Sequence, residues 1–262
     1  MGKRIDKGFI NKKVNGITIN TSRKCHSSNY NAYSSRVIKY IVMHYTGNEE
    51  DTARANAGYF QGANRRASAH FFVDNNNIYQ SVALKNVAWH CGGSTYYHKT
   101  CRNSSSIGIE MCCTAGNYKI SQQTIENSAK LCAYLCTLVG ITASQVDTYV
   151  LRHYDVTHKK CPAQMANSAN DKDWIAFKAL VKKELGGSKA KADDTYKVRI
   201  TATTLNVRAG AGTNYNVVSK VSKGDIYTII DEKKNGSTTW GLLLSGKANK
   251  NKWISLKYTE KV

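Results

Sequence analysis

The sequence predicts an α/β domain, with a central β-sheet flanked by helices, followed by a small all-β barrel. Strand-like and helix-like segments alternate over the first 185 residues, the pattern of a sheet covered by helices. Short β-rich runs separated by turn residues dominate from residue 196 onward. Between these regions, Gly186–Asp194 lacks any large apolar side chain. We therefore predict domains at 1–185 and 196–262, joined by a linker at 186–195.

The strands of the first domain are indicated by apolar and β-branched runs. Val37–His44 is apolar at nearly every position, which is typical of a strand buried on both faces, and His44 stands at its end. Two further strands are predicted at Ala69–Val73 and Ile78–Ser81, around an Asp-Asn-Asn-Asn turn. Ile107–Met111 is another predicted strand.

The helices of this domain are indicated mainly by their ends. Ser121 is a good N-cap residue, the apolar residues after it share one broad face, and Gly140 is a typical C-terminal residue. Asp171 begins a helix that covers Trp174–Leu185. A third helix is predicted from Asp51 to about Phe60.

Charge and cysteine content limit the partners and the compartment. Thirty-eight Lys and Arg residues against eighteen Asp and Glu residues give a net charge of +20, which suits nucleic acid, anionic lipid or an acidic wall polymer. No zinc-finger spacing, ribonucleoprotein motif or basic helix supports nucleic acid, and no run approaches the ~20 apolar residues of a membrane span.

Met1–Asp6 is not followed by the apolar core of a secretion signal. We therefore expect synthesis in the cytoplasm, with cysteines that are mostly buried and reduced. The sequence does not indicate the oligomeric state.

Three residues could form a metal site. His44 ends the first buried strand, and His153 and Cys161 lie close together further along the chain. Two imidazoles and a thiolate leave a tetrahedral zinc ion one open position for water, which zinc can activate as a nucleophile at neutral pH. A structural role for each residue is the alternative, because this spacing is no general zinc motif.

Four ordered sequence blocks indicate a family. The chain resembles the zinc N-acetylmuramoyl-L-alanine amidases related to peptidoglycan recognition proteins, over most of residues 36–165. The blocks are Tyr40–Gly47, Ser68–Phe71, Ser106–Glu110, and His153–Thr157 with Lys159 and Cys161–Pro162. This resemblance implies hydrolysis of the amide between the lactyl group of N-acetylmuramic acid and L-Ala of the peptidoglycan stem peptide.

The resemblance also implies residue roles. His44, His153 and Cys161 would hold Zn²⁺, and Glu110 would act as general base. Some phage members carry a Tyr directly before the His of the second block, where this chain has Ala69, which favours Glu110 as the base.

The remaining implied roles are electrostatic stabilisation and substrate binding. Lys159 would stabilise the oxyanion, since the family lysine lies two residues before the last ligand, and this spacing favours Lys159 over Lys160. His70, Trp89 and His90 fall where related enzymes line the substrate groove, although packing within the fold would also explain them.

The C-terminal region resembles the bacterial SH3 domain of wall hydrolases. Thr204–Tyr215, Val221–Asp225 and the final Trp240–Ile254 segment carry this resemblance, which implies targeting to peptidoglycan. Twelve Lys and Arg residues against four Asp and Glu residues in 196–262 would suit anionic wall polymers.

The arrangement as a whole resembles a phage endolysin or a phage-derived autolysin acting on the host cell wall. Two alternatives stay open: a non-catalytic peptidoglycan-binding protein, against which Cys161 argues, and a zinc peptidase that cuts elsewhere in the stem peptide.

Overall fold

The structure is a computed structural model that describes residues 2–168, 171–186, 196–244 and 252–262. The chain folds as two compact units, Met1–Gly186 and Gly187–Val262. Gly186 ends the last helix of the first unit, and the rest of the predicted linker at 186–195 lies outside the described residues.

The described part of the first unit combines strands and helices in the order that an α/β domain requires. The strands are β1 (Lys3–Ile5), β2 (Lys13–Val14), β3 (Ile17–Asn20), β4 (Tyr30–Asn31), β5 (Arg36–Ile38), β6 (Tyr40–Tyr45), β7 (Phe71–Val73), β8 (Ile78–Gln80), β9 (Val87–Ala88), β10 (Ser106–Met111) and β11 (Val150–Arg152). The helices are α1 (Ala53–Tyr59), α2 (Gln122–Val139), α3 (Val146–Tyr149), α4 (His153–Thr157) and α5 (Lys172–Gly186).

A seven-stranded mixed sheet in the order β11-β6-β10-β7-β8-β3-β2 organises this unit. Strands β11, β6, β10 and β7 are parallel, and β7 and β8 form the predicted antiparallel pair. Lys39 interrupts the predicted 37–44 strand, so that β5 pairs with β1 and only β6 joins the central sheet. The predicted α/β class is confirmed.

Side chains alternate between the two faces of β6, and this alternation positions the site. Ile41 and Met43 enter the main core, which also contains apolar residues of α2 and α5. Val42 packs on the other face, in a cluster with Val156 of α4. Because His44 lies two residues beyond Val42, its ring also faces the α4 side of the sheet.

The helix ends follow their capping residues. The Ser121 side chain accepts a hydrogen bond from Thr124 N, a contact that typically contributes about 1 kcal/mol, and Gly140 ends α2 in the left-handed region with φ of 80°. Asp171 Oδ1 accepts from Trp174 N at the start of α5. No single described helix is long and apolar enough to cross a membrane, although the bent pair Gln122–Val139 and Ala143–Tyr149 meets that criterion by length and composition.

The second unit is all-β among its described residues, except for one 3₁₀ turn. Its strands are β12 (Tyr196–Ile200), β13 (Thr204–Arg208), β14 (Val217–Ser222), β15 (Ile226–Asn235), β16 (Thr238–Leu243), β17 (Trp253–Ser255) and β18 (Thr259–Lys261). They form one antiparallel sheet in the order β14-β13-β17-β16-β15-β12-β18 around a separate apolar core that includes Val198, Val207 and Ile254.

Candidate metal and catalytic site

The site forms where the carboxyl ends of three parallel strands meet. His44 of β6 lies directly beside Glu110 of β10 in the strand register. Arg152, the last residue of β11, pairs with Met43, so that His153 follows as the first residue of α4. Parallel pairing therefore brings His44 close to Glu110 and to His153, although both lie far along the chain from it.

The three predicted metal ligands meet at this edge of the sheet. One ligand atom from each of His44, His153 and Cys161 lies within 4.8 Å of the other two, and all three residues are buried. Cys161 Sγ is 3.8 Å from His44 Nδ1. A tetrahedral zinc ion, with bonds of about 2.0–2.3 Å, needs donors at such separations after a small contraction.

The chemistry of this donor set fits zinc. His153 Nε2 lies 3.3 Å from the carbonyl oxygen of Gly92, to which it can donate. The other ring nitrogen, His153 Nδ1, is buried and has no hydrogen-bond partner among the described residues, so its lone pair is free to bind a cation. Two imidazole nitrogens and one sulfur are ligands that zinc prefers.

Burial favours the neutral, metal-binding form of the two histidines, but it disfavours the thiolate form of the cysteine. It lowers the pKa of His44 well below the usual range and that of His153 to about 4, which keeps both rings neutral. All eight cysteines are buried free thiols, and burial raises the pKa of Cys161 to about 12. The Cys161 thiolate therefore requires a nearby cation, and metal binding would release its proton.

Glu110 faces both the candidate metal ligands and a groove. Its Oε1 lies 4.0 Å from His44 Nδ1, its side chain is 19% exposed, and its Oε2 has no partner within the described part of the chain. Burial raises the pKa of Glu110 to about 8, the charge of Lys159 lowers it, and that of Asp51 raises it. The groove has a volume of about 460 Å³ and runs from Glu110 along α1, where Asn56 and Tyr59 line it.

Lys159 lies on the chain segment that leads to Cys161, the last of the predicted metal ligands. Its side chain is exposed, and Cys161 N donates a hydrogen bond to its carbonyl oxygen over 2.7 Å. The Lys159 ammonium is close enough that its charge, after the larger effect of burial, lowers the pKa of His153. Lys160 is also exposed, and the assignment of the oxyanion role to Lys159 stays a prediction.

The predicted substrate-binding residues differ in their access to solvent. Trp89 is partly exposed and donates through Nε1 to Asn31 Oδ1 over 3.1 Å, so a substrate contact by its ring stays a prediction. His70 is 0% exposed, and its Nδ1 accepts from Gly108 N over 3.1 Å. Its Nε2 lies 2.8 Å from an Arg36 nitrogen. This burial favours an internal role for His70 over the predicted substrate contact.

His90 is also internal, and its ring lies behind that of His44, a predicted metal ligand. It is 7% exposed, and its Nδ1 is 3.0 Å from His44 Nε2. Ser106 and Gly92 hydrogen-bond to His90 and His153. From the sequence, Ser106 was named only as the first residue of a family block, without a role, and Gly92 was not singled out. The only sequence signal for Gly92 is the Gly-Gly pair that follows Trp89, His90 and Cys91.

Comparisons with known proteins agree with this geometry. The N-acetylmuramoyl-L-alanine amidase family matches residues 34–164, and the bacterial SH3 domain family matches residues 203–260. The chain therefore belongs to the N-acetylmuramoyl-L-alanine amidase family and carries a bacterial SH3 domain.

Individual relatives support the same family. A probable N-acetylmuramoyl-L-alanine amidase of Bacillus licheniformis is 34% identical over 157 residues, which are 57% of this chain and 42% of the relative. The amidase CwlL of the same species is 29% identical over 195 residues, 70% of this chain and 52% of the relative. This chain thus spans about half the length of the curated relatives it matches. The solved catalytic domain of XlyA aligns with a TM-score of 0.52 at 26% identity, covering 63% of this chain and 99% of that domain.

Proposed function

We propose that this chain is a zinc-dependent N-acetylmuramoyl-L-alanine amidase that cleaves the amide between N-acetylmuramic acid and L-Ala of peptidoglycan. The observation that carries the proposal is the convergence of His44, His153 and Cys161 beside Glu110 at the end of an open groove. Membership of the amidase family supports the choice of bond. Relatives of known structure include an endolysin of Bacillus subtilis, which supports a role as an endolysin or a phage-derived autolysin.

The mechanism assigns proton transfer to Glu110. When bound by the two histidines and the cysteine, zinc would supply a Lewis acid that makes water nucleophilic at neutral pH. Glu110 then accepts the proton of the attacking water on a carboxylate oxygen and delivers it to the leaving amine nitrogen. Its raised pKa makes the ionised Glu110 a stronger base than an exposed glutamate. Lys159 contributes positive charge near the oxyanion, where one well-placed group is typically worth ~3 kcal/mol.

The second unit would hold the enzyme on its polymer substrate. A bacterial SH3 domain with excess positive charge suits peptidoglycan and anionic wall polymers, and tethering raises the effective concentration of the catalytic unit there. In this proposal the site of action is the cell wall, and neither nucleic acid nor a membrane is the partner. Synthesis in the cytoplasm stays a prediction.

The test combines wall lysis with product chemistry. We expect the native protein to clear a suspension of purified Gram-positive walls, metal-stripped protein to fail, and added zinc to restore lysis. Glu110→Ala should lose lysis while still binding walls. New N-terminal Ala without any other new amine identifies the amidase reaction, whereas other new amines would indicate a peptidase. Binding without lysis by the zinc-loaded protein would favour the recognition protein instead.

A further inference from the structure

A buried chain of hydrogen bonds extends from the metal site into the protein. His44 Nε2 lies 3.0 Å from His90 Nδ1, and His90 Nε2 lies 3.2 Å from Ser106 Oγ. Ser106 Oγ in turn donates to the carbonyl oxygen of Arg102 over 2.7 Å. His44, His90 and Ser106 are 1%, 7% and 0% exposed, so water does not compete for these contacts.

The carbonyl at the end of this chain sets the direction of every bond. A carbonyl oxygen only accepts, so Ser106 uses its one hydroxyl proton on Arg102 and must accept from His90. A neutral His90 that donates through Nε2 accepts at Nδ1, and His44 therefore donates through Nε2. His44 Nδ1 is left with its lone pair facing Cys161 and the metal site.

Two features of the fold hold the His90 ring in place. Gly108 of β10 lies against it, and a Cβ at Gly108 would come within 2.5 Å of His90 Cγ. Asn103 Oδ1 accepts hydrogen bonds from His90 N over 3.0 Å and from Cys91 N over 2.8 Å. The ring position is therefore fixed both by space in the sheet and by its own backbone.

We propose that His90, backed by Ser106, is a positioning residue that fixes the tautomer and orientation of His44 for metal binding. This inference rests on the proposed zinc site, and it replaces the predicted substrate contact of His90 with an internal role. Hydrogen-bonded partners of metal-binding histidines typically change metal affinity by about 10–100-fold when removed. Among the described residues, the His153 ring is hydrogen-bonded only to the Gly92 carbonyl, over a longer distance of 3.3 Å, so we expect most of this control to fall on His44.

Two variants of nearly equal shape separate the hydrogen bond from packing. In His90→Asn the side-chain oxygen stands near the position of Nδ1 and still accepts from His44, whereas His90→Leu offers no acceptor. Zinc affinity is measured for the full chain by competition with a chromogenic chelator. We expect His90→Leu to weaken zinc binding by about 10–100-fold and His90→Asn to stay within about threefold of the native protein.

A second readout reports the tautomer without metal or activity. Nitrogen-15 NMR of the metal-free native protein should show His44 protonated on Nε2, and His90→Leu should lose this single form. His26→Leu is the control, since it removes an exposed histidine whose ring hydrogen-bonds to Ser28 outside the site, and it should keep zinc affinity. Far-UV circular dichroism verifies that each variant is folded.

Several outcomes would overturn the inference. Equal loss of affinity in His90→Leu and His90→Asn, no loss in either, or a native His44 protonated on Nδ1 would each do so. If the native protein binds zinc and shows this pattern but releases no N-terminal Ala from peptidoglycan, the proposed function fails while the positioning role stands.

Discussion

Glu110, the proposed general base, illustrates how one residue would link function to stability. Its carboxyl group lies between buried ligands and an open groove, and burial raises its pKa to about 8 from an ordinary value of 4.5. The same burial that makes it a stronger base also makes its charged form costly in the folded protein. The metal-free protein should therefore become less stable as this group ionises.

The pH dependence of this cost follows from proton binding. Between pH 4.5 and about 8, folded Glu110 keeps a proton that the unfolded chain has lost, so stability is highest below this range and falls as pH rises through it. Glu110→Gln stays neutral and avoids that loss. We expect the melting temperature of metal-stripped Glu110→Gln to exceed that of the native protein at pH 8 by several degrees, at about 2–4 °C per kcal/mol, and by much less at pH 5. An equal difference at both pH values would contradict this.

At the scale of elements, the longest and best-capped segments could be predicted from the sequence. The strand before His44, the strand that carries Glu110, and α2 with its ends at Ser121 and Gly140 have strong local signals. Strand β11, which positions His153, has only three residues and no alternating pattern, and β18 is equally short. Such strands exist because of pairing with distant neighbours, which local sequence does not encode.

The candidate site, like the fold, could be predicted from the sequence only in part. Ordered sequence blocks identified the residues that converge as candidate metal ligands, because each block carries its own pattern. The position of His90 could not be predicted, because it lies 46 residues from His44 in the chain and its space depends on Gly108. Gly108 is opposite Val42 only in the register of the assembled sheet.

The turn after α4 carries the two lysines that are candidates for stabilising the oxyanion. His158 ends α4 in the left-handed region with φ of 61°, and the chain then continues through Lys159 and Lys160 to Cys161. We expect Lys159→Met to lower kcat by about 10²–10³-fold, the usual effect of losing one group that stabilises an oxyanion. Lys160→Met is the matched control and should stay near the native rate. Kinetics on soluble muropeptides decide the matter, and a larger loss in Lys160→Met would reverse the assignment.

At the scale of the whole molecule, the two compact units have separate apolar cores. One core contains residues of the mixed sheet, α2 and α5, and the other contains residues of the C-terminal antiparallel sheet. The proposed metal ligands all belong to the first unit. Zinc should therefore stabilise one unit selectively, because a ligand raises stability only where it binds the folded state.

Calorimetry of the full chain with and without zinc measures this selectivity. At a free zinc concentration 100 times the dissociation constant, binding contributes about 2.7 kcal/mol, enough to raise the melting temperature of a unit of this size by about 5–10 °C. We expect two unfolding transitions, of which zinc raises one and leaves the other unchanged. Cys161→Ala removes a ligand and should abolish the shift while keeping both transitions. A zinc shift that persists in Cys161→Ala, or that moves both transitions equally, would place the metal elsewhere in the chain.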